Sequence, residues 1–343
     1  MKLIKKLSFI FLRIFIIYLF IGLIYIVYGL NDKRDYYKVK NDIYNGKIKV
    51  KYNEQTNNFK SNKDNNSIQS YIDCYEYPIQ EEMFTDEMKK KLNEIYNLFN
   101  DNNFSLSFAY EDLYTGLHIS YNENKQYFTA STIKAPVILY LFKQVENEKI
   151  DLNKYITYTP QFYVEGSGSI QYESFGKQYK LKDLVEKTLV ESDNVAYQMT
   201  ASQVNRNDIK NFWEEKGADN FWEKSVWGNI SAHDGVIYMK EIYNYYLTNT
   251  QLSNELIELL YNSVFRLIKA NNDVKVAHKS GWHFEIMHDT AIVFDEYPYV
   301  LAIMTNKGHS DYSAFFNKAS KLIAEFHDLY WKNKSSICYN QVF

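Results

Sequence analysis

The spacing of apolar residues divides the chain before any motif is considered. Leu7 to Leu30 is a nearly unbroken apolar run interrupted by Arg13, and from Ile14 to Leu30 it carries no charge. As a helix it measures roughly 36 Å at about 1.5 Å per residue, enough to span a bilayer. Residues 31–81 show the opposite pattern. They are polar and weakly periodic, with Asn-Glu-Gln-Thr-Asn-Asn and Ser-Asn-Lys-Asp-Asn-Asn-Ser stretches, and read as a tether with at most a short strand at Lys47–Tyr52. Helical periodicity begins near Thr85, which has an acidic first turn after it. Met88, Leu92, Ile95, Leu98 and Phe99 then share one stripe, ending near Asn102.

The next elements follow from changes of period. Phe104–Glu111 and Leu117–Tyr121 read as a hairpin around Asp112–Gly116. A strongly apolar run opening at Thr129–Pro136 predicts a helix to about Glu148. Tyr155–Tyr179 is loop-like, with Gly166-Ser167-Gly168 inside it. Helices are expected over Lys182–Val190, Val195–Val204 and Asp208–Lys216. Gly217 to Asn229 is irregular and tryptophan-rich. Ser231–Asp234 caps a helix to about Leu247, and Leu252–Lys269 reads as another. Val274–His278, Asp289–Phe294 and Tyr299–Thr305 read as strands, and Ser313–Trp331 as a closing helix. Strands at both ends and helices between them imply one antiparallel sheet completed by both chain ends, with a helical lobe and a cleft between the two.

Composition adjusts this picture in three ways. A chain of 343 residues with 46% hydrophobic content supports a substantial core. A net charge of −3 gives no electrostatic reason to expect nucleic acid. Lys2, Lys5 and Lys6 precede the first apolar run, so residues 7–30 are expected to cross a cell membrane with the N-terminus cytoplasmic and the domain outside. The rival reading is a cleaved signal peptide; Ile-Val-Tyr-Gly-Leu makes a poor cleavage site, which favours a retained single-pass anchor. The segments are then 1–30 anchor, 31–81 tether, 82–334 domain and 335–343 tail.

The chemistry concentrates in three short pieces. Ser131-Thr-Ile-Lys134 opens the apolar helix and places a hydroxyl and an amine one turn apart on one face. A serine hydroxyl is a weak nucleophile until a base takes its proton, and a lysine whose pKa is lowered by burial supplies one. The other pieces are Ser192-Asp193-Asn194 and Lys279-Ser280-Gly281. Each alone is weak. A second Ser-x-x-Lys, Ser174 to Lys177, sits in a glycine-flanked loop and serves as a chance control.

In order and spacing, the three pieces resemble the S-x-x-K, S-D-N and K-T-G set of class A β-lactamases and penicillin-binding proteins, with serine for threonine in the third. The resemblance runs from about Glu82 to Lys332. It implies an α/β (α+β) domain of the class A β-lactamase type, acting on amide bonds without metal or organic cofactor. The partner it implies is a β-lactam or a peptidoglycan stem peptide. By this resemblance Ser131 becomes acylated, Lys134 takes its proton, and Ser192 relays a proton to the leaving nitrogen. Asn194 orients Lys134 and meets the substrate amide. Lys279 polarises Ser192 and, with Ser280, holds a carboxylate. Gly281 precedes Trp282, whose backbone N–H joins that of Ser131 in an oxyanion hole.

The departure from the pattern carries as much information. Class A β-lactamases place a water-activating glutamate between the second and third motifs, and no Glu-x-x-Leu-Asn stands near Gly228. Glu223 is the nearest candidate and reads equally as a solvated charge. Without that base the acyl-enzyme is expected to hydrolyse slowly. A D,D-carboxypeptidase or transpeptidase, or a receptor that is acylated without turnover, remain the alternatives. His278, His283 and His288 alternate faces of a strand, which disfavours a metal site. Asp193 reads as a turn residue, Tyr163 as a rim candidate. Cys74 and Cys338 flank the first and last helices, where a disulfide is geometrically open.

Overall fold

The computed structural model describes residues 77–101, 103–219, 221–222, 225–270, 274–307 and 312–342. The expected anchor at 7–30, Cys74 and Glu223 lie outside them, as does the tether up to residue 76. Among the described residues no helix is long and apolar enough to cross a membrane. Leu247–Asn249 apart, the described residues belong to one compact unit.

Helix α1, Asp86–Phe99, starts where its cap predicts: the Thr85 hydroxyl accepts from the Met88 N–H. Strands β1 (Leu106–Asp112) and β2 (His118–Tyr121) form the expected hairpin. The late strands β7 (Lys275–His283), β8 (Ile286–Phe294) and β9 (Tyr299–Thr305) complete a sheet of order β2-β1-β9-β8-β7, antiparallel at every pairing. Both chain ends therefore build the sheet, as the strand pattern implied.

One face of the sheet carries α1 and the terminal helix. Met88, Leu92, Ile95 and Phe99 meet Phe108 and Tyr110 of β1 and Phe316, Ile323 and Phe326 of that helix in one buried cluster. Helix Ala232–Tyr246 crosses β1, β8 and β9. It lies so close that a Cβ on Gly235 would stand 2.7 Å from the Ala302 Cβ. The apolar run at 134–142 becomes a helix, Lys134–Glu146, in which Lys134 and the eight residues after it are all buried. A helix apolar on every side belongs inside.

The structure departs from the expected boundaries in five places. Ser131 stands in a 3₁₀ turn, Ala130–Ile133, ahead of the α-helix rather than within it. The loop-like stretch holds two short paired strands, β4 (Tyr155–Thr157) and β5 (Gln178–Lys180). The helix expected over Leu252–Lys269 stops at Tyr261, because donors beyond it find acceptors elsewhere. Val264 N–H reaches Val190 O, and the Leu267 and Ile268 N–H groups reach the Asp289 carboxylate. Strand β7 continues through Lys279-Ser280-Gly281 to a two-residue turn at Phe284–Glu285, its polar residues being buried toward the site rather than ending the ladder. The terminal helix spans Tyr312–Val342, past its expected end at Trp331 and through most of the expected 335–343 tail. Cys338 is disulfide-bonded.

Candidate active site

The short strand β3 (Tyr127–Phe128) pairs with β6 (Asn229–Ile230) and leads into the 3₁₀ turn. Ala130 takes a left-handed φ of +45°, and the Thr132 hydroxyl donates to Thr129 O at 2.6 Å. In a 3₁₀ turn residues three apart eclipse, so Ser131 and Lys134 meet directly. Lys134 Nζ lies 2.9 Å from Ser131 Oγ.

The remaining contacts of that amine decide its chemistry. Lys134 Nζ donates to Ser192 O at 2.7 Å and to Asn194 Oδ1 at 2.7 Å, with Ser192 Oγ at 3.2 Å. Asn194 is held in this orientation by its Nδ2 donating to Glu165 O at 3.2 Å. A carbonyl and an amide oxygen can only accept. A neutral amine gives them its two hydrogens and keeps its lone pair for the Ser131 hydroxyl. Burial pushes the Lys134 pKa well below the usual lysine value, the nearby Lys279 charge adds to that, and Asp193 opposes it.

Ser192 reaches the amine from a left-handed conformation, φ +56°. The turn around it is tightly tied. Asp193 accepts from Ala196 N–H with one carboxylate oxygen and from Ile170 N–H with the other, both at 2.9 Å. Gly168 packs so closely that a Cβ there would sit 2.1 Å from the Asp193 Cγ. The glycine-flanked loop at 166–168 is thus a support for the Ser192 turn, and Asn194 N–H donates to Ser167 O.

The third piece approaches from the edge strand. A Cβ on Gly281 would fall 2.7 Å from the Ser131 N and 2.9 Å from the Thr132 N, so only glycine lets β7 come this near the Ser131 amide. Lys279 is fully buried, and its ammonium donates to Ser280 O at 3.1 Å. Among the described residues no hydrogen bond joins it to the Ser192 hydroxyl, the contact that the expected polarisation of Ser192 calls for. Burial brings Lys279 down to about 8, against the pull of Asp289. Ser131, Ser192, Ser280, Gly281 and the half-exposed Trp282 line a cleft of about 190 Å³. Tyr163 is exposed, bonds Glu165 and does not line it.

Sequence reasoning missed two components. The first is an aromatic pair over Lys134. The Trp227 ring lies 5.4 Å and the Tyr197 ring 5.8 Å from Nζ, and the two rings stand 4.8 Å apart. Their places are tied: Thr129 Oγ1 donates to Trp227 O, Tyr197 OH to Val226 O, and Trp222 Nε1 to Tyr197 OH. Among the described residues no carboxylate lies within ion-pair distance of Lys134. The tryptophan richness of 217–229 was the available signal. The second is the segment 263–268, which the helical pattern concealed.

The three histidines have separate partners. His278 faces Asp289 Oδ1 and Ser263 O, both at 3.1 Å. His288 accepts the Thr305 N–H at Nδ1 and donates from Nε2 to Phe128 O, a neutral tautomer that burial reinforces by lowering its pKa to about 4. It ties β8 and β9 to the end of β3, just ahead of the 3₁₀ turn that holds Ser131. His283 packs on Phe128 and Phe284.

Comparison with known proteins bears on the fold that carries this arrangement. A family model described as "Beta-lactamase enzyme family" matches residues 87–327. No curated protein matches the sequence significantly. Among solved structures, a point mutant of PBP-A, solved as an acyl-enzyme complex with penicillin G, is similar with a TM-score of 0.63 at 19% identity, over 70% of this chain and 97% of that one. An ancestral class A β-lactamase gives 0.60 at 18%, over 68% and 99%. A β-lactamase from Sphaerobacter thermophilus gives 0.59 at 13%, over 69% and 94%. At these identities the likeness is one of fold.

Proposed function

Because the chain belongs to the β-lactamase enzyme family, we propose that it is a serine hydrolase that opens β-lactams or D-alanyl peptides through an acyl-enzyme on Ser131. The single observation carrying this reading is the Lys134 amine. Two obligate acceptors and its burial direct the lone pair at the Ser131 hydroxyl. Lys134 takes the proton as Ser131 Oγ attacks the carbonyl carbon. The developing oxyanion meets the amides of Ser131 and Trp282, beside which Gly281 packs. Ser192, 3.2 Å from Lys134 Nζ, passes that proton to the departing nitrogen. Lys279 and Ser280 hold the substrate carboxylate.

Water then has to cleave the ester. The side of Lys134 away from its bonds faces Trp227 and Tyr197, two rings that cannot abstract a proton from water. General-base help to one step is worth roughly 10²–10⁴-fold, so acylation outruns hydrolysis. Intact mass of the domain after mixing with penicillin G tests this. A lasting adduct on Ser131 is expected. Rapid return to the unmodified mass overturns slow hydrolysis, and no adduct at all overturns the site. That PBP-A mutant was solved as an acyl-enzyme with penicillin G, which supports the same chemistry here.

The apolar run at 7–30 behind Lys2, Lys5 and Lys6 supports a membrane anchor with the domain outside the cytoplasm. Protease accessibility of the domain in intact versus lysed cells tests it; protection in intact cells overturns it.

A further inference from the structure

The segment after helix Gln251–Tyr261 is anchored on both sides of the cleft while its apex stays bare. His278 Nε2 faces Ser263 O, the Ser280 hydroxyl donates to Val264 O at 3.3 Å, Val264 N–H donates to Val190 O at 3.1 Å, and Asp289 takes the next two amides, Leu267 and Ile268. Between these ties stands Phe265, with φ +59° and 77% of its surface exposed. A bulky residue in the left-handed region is strained, because its Cβ crowds the following carbonyl. An exposed ring recovers little of that cost by burial. Phe284 shares the feature, φ +51° and 77% exposed, but it occupies the first position of a two-residue hairpin turn that requires a positive φ. Phe265 sits in no such turn. Strain held by surrounding bonds, with a ring displayed over a cleft, is the arrangement of a ligand clamp.

The location identifies which half of the substrate it meets. Val264 and Phe265 line the cleft, and their ties lie on its Ser192 and Ser280 side: the Ser280 hydroxyl donates to Val264 O, and the Val264 N–H reaches Val190 O just ahead of Ser192. On the acyl-enzyme reading above, those hydroxyls serve the leaving nitrogen and its carboxylate, whereas Gly281 and Trp282 serve the acyl half. We propose that Phe265 selects the leaving group: the portion that departs carries a bulky apolar group beside its carboxylate, which packs on this ring. The inference rests on that reading.

Two matched esters test it. They share one acylglycine and release D-lactate or D-phenyllactate, each with a carboxylate. Ser131 Oγ bonds to the ester carbonyl carbon, the ester C–O bond breaks, and the hydroxy acid leaves with the proton that Lys134 took from Ser131. Acylation rates come from burst release. The native protein is expected to react about tenfold faster with the phenyllactate ester, the scale of one aromatic contact with its buried area. Phe265→Gly brings the two rates within about threefold, and Phe265→Tyr restores the preference. The thermal midpoint of Phe265→Gly does not fall, since glycine adopts this φ freely. Equal rates in the native protein, or an unchanged ratio in Phe265→Gly, overturn the role of Phe265 while leaving the acyl-enzyme intact. No adduct on Ser131 from either ester overturns the acyl-enzyme reading itself.

Discussion

Lys134 and Lys334 are both buried, and burial lowers both pKa values, yet their surroundings differ in what they leave open. Lys334, brought to about 8, belongs to a cluster that fastens the terminal helix to the first hairpin. There Asp112 accepts from the Tyr114 and Thr115 amides and the Thr115 hydroxyl with one oxygen, and from Trp331 Nε1 with the other. Tyr330 OH reaches Thr115, Tyr110 OH meets His327, and Lys334 donates to Tyr77 O. Acceptors and donors there answer one another across two elements. Lys134 has two such acceptors, and its third direction ends on a hydroxyl at the edge of a cleft. A displaced lysine pKa is therefore common to a structural knot and a candidate catalytic base. The serine hydroxyl at 2.9 Å and the open volume beside it distinguish the second.

That contrast yields four expected outcomes. Lys134→Met removes the base and should slow Ser131 acylation by penicillin roughly 10²–10⁴-fold, read by intact mass over time; an unchanged rate places the base elsewhere. Asp112→Ala removes the acceptor of four donors, three of them buried, and should cost about 3 kcal/mol of stability, about a 150-fold fall in the folding constant. Urea unfolding measures it, and acylation at low temperature should keep its native rate. Gly281→Ala pushes β7 from the Ser131 amide, and a misplacement of that order costs about 10²-fold in acylation, read by the same mass time course; an unchanged rate overturns the importance of this approach.

The smallest effect is in pH. Lys279 has its pKa lowered to about 8, so it is cationic below that value and neutral above it. Acylation by carboxylate-bearing substrates should fall about tenfold per pH unit above about 8. On the acid side it falls as Lys134 gains a proton, at a pH well below the usual lysine range. A rate flat from pH 8 to 10 would remove Lys279 from carboxylate binding.

Local pattern made much of this legible. Thr85, the stripe from Met88 to Phe99 and the late strands announced their elements because period and capping are properties of neighbours. Ser131 and Lys134 were legible for the same reason: three residues apart at the start of an apolar run, they meet whatever the rest of the chain does. The overrun of the helix beyond Tyr261 failed for the opposite reason. Its apolar residues kept helical spacing, while Asp289 and Val190, far away in sequence, took the amides the helix needed.

The sequence by itself determined the sheet built from both chain ends, the buried central helix, and a serine and lysine held on one turn. Each of these depends on periodicity or on separations of a few residues. Tertiary structure alone decided that Trp227 and Tyr197 cover Lys134, that the Gly281 backbone presses on the Ser131 amide, and that Phe265 stands strained over the cleft. Those are contacts between segments 15 to 150 residues apart. Their geometry is set by how whole layers pack and by which distant acceptor claims each amide, quantities that no local spacing encodes.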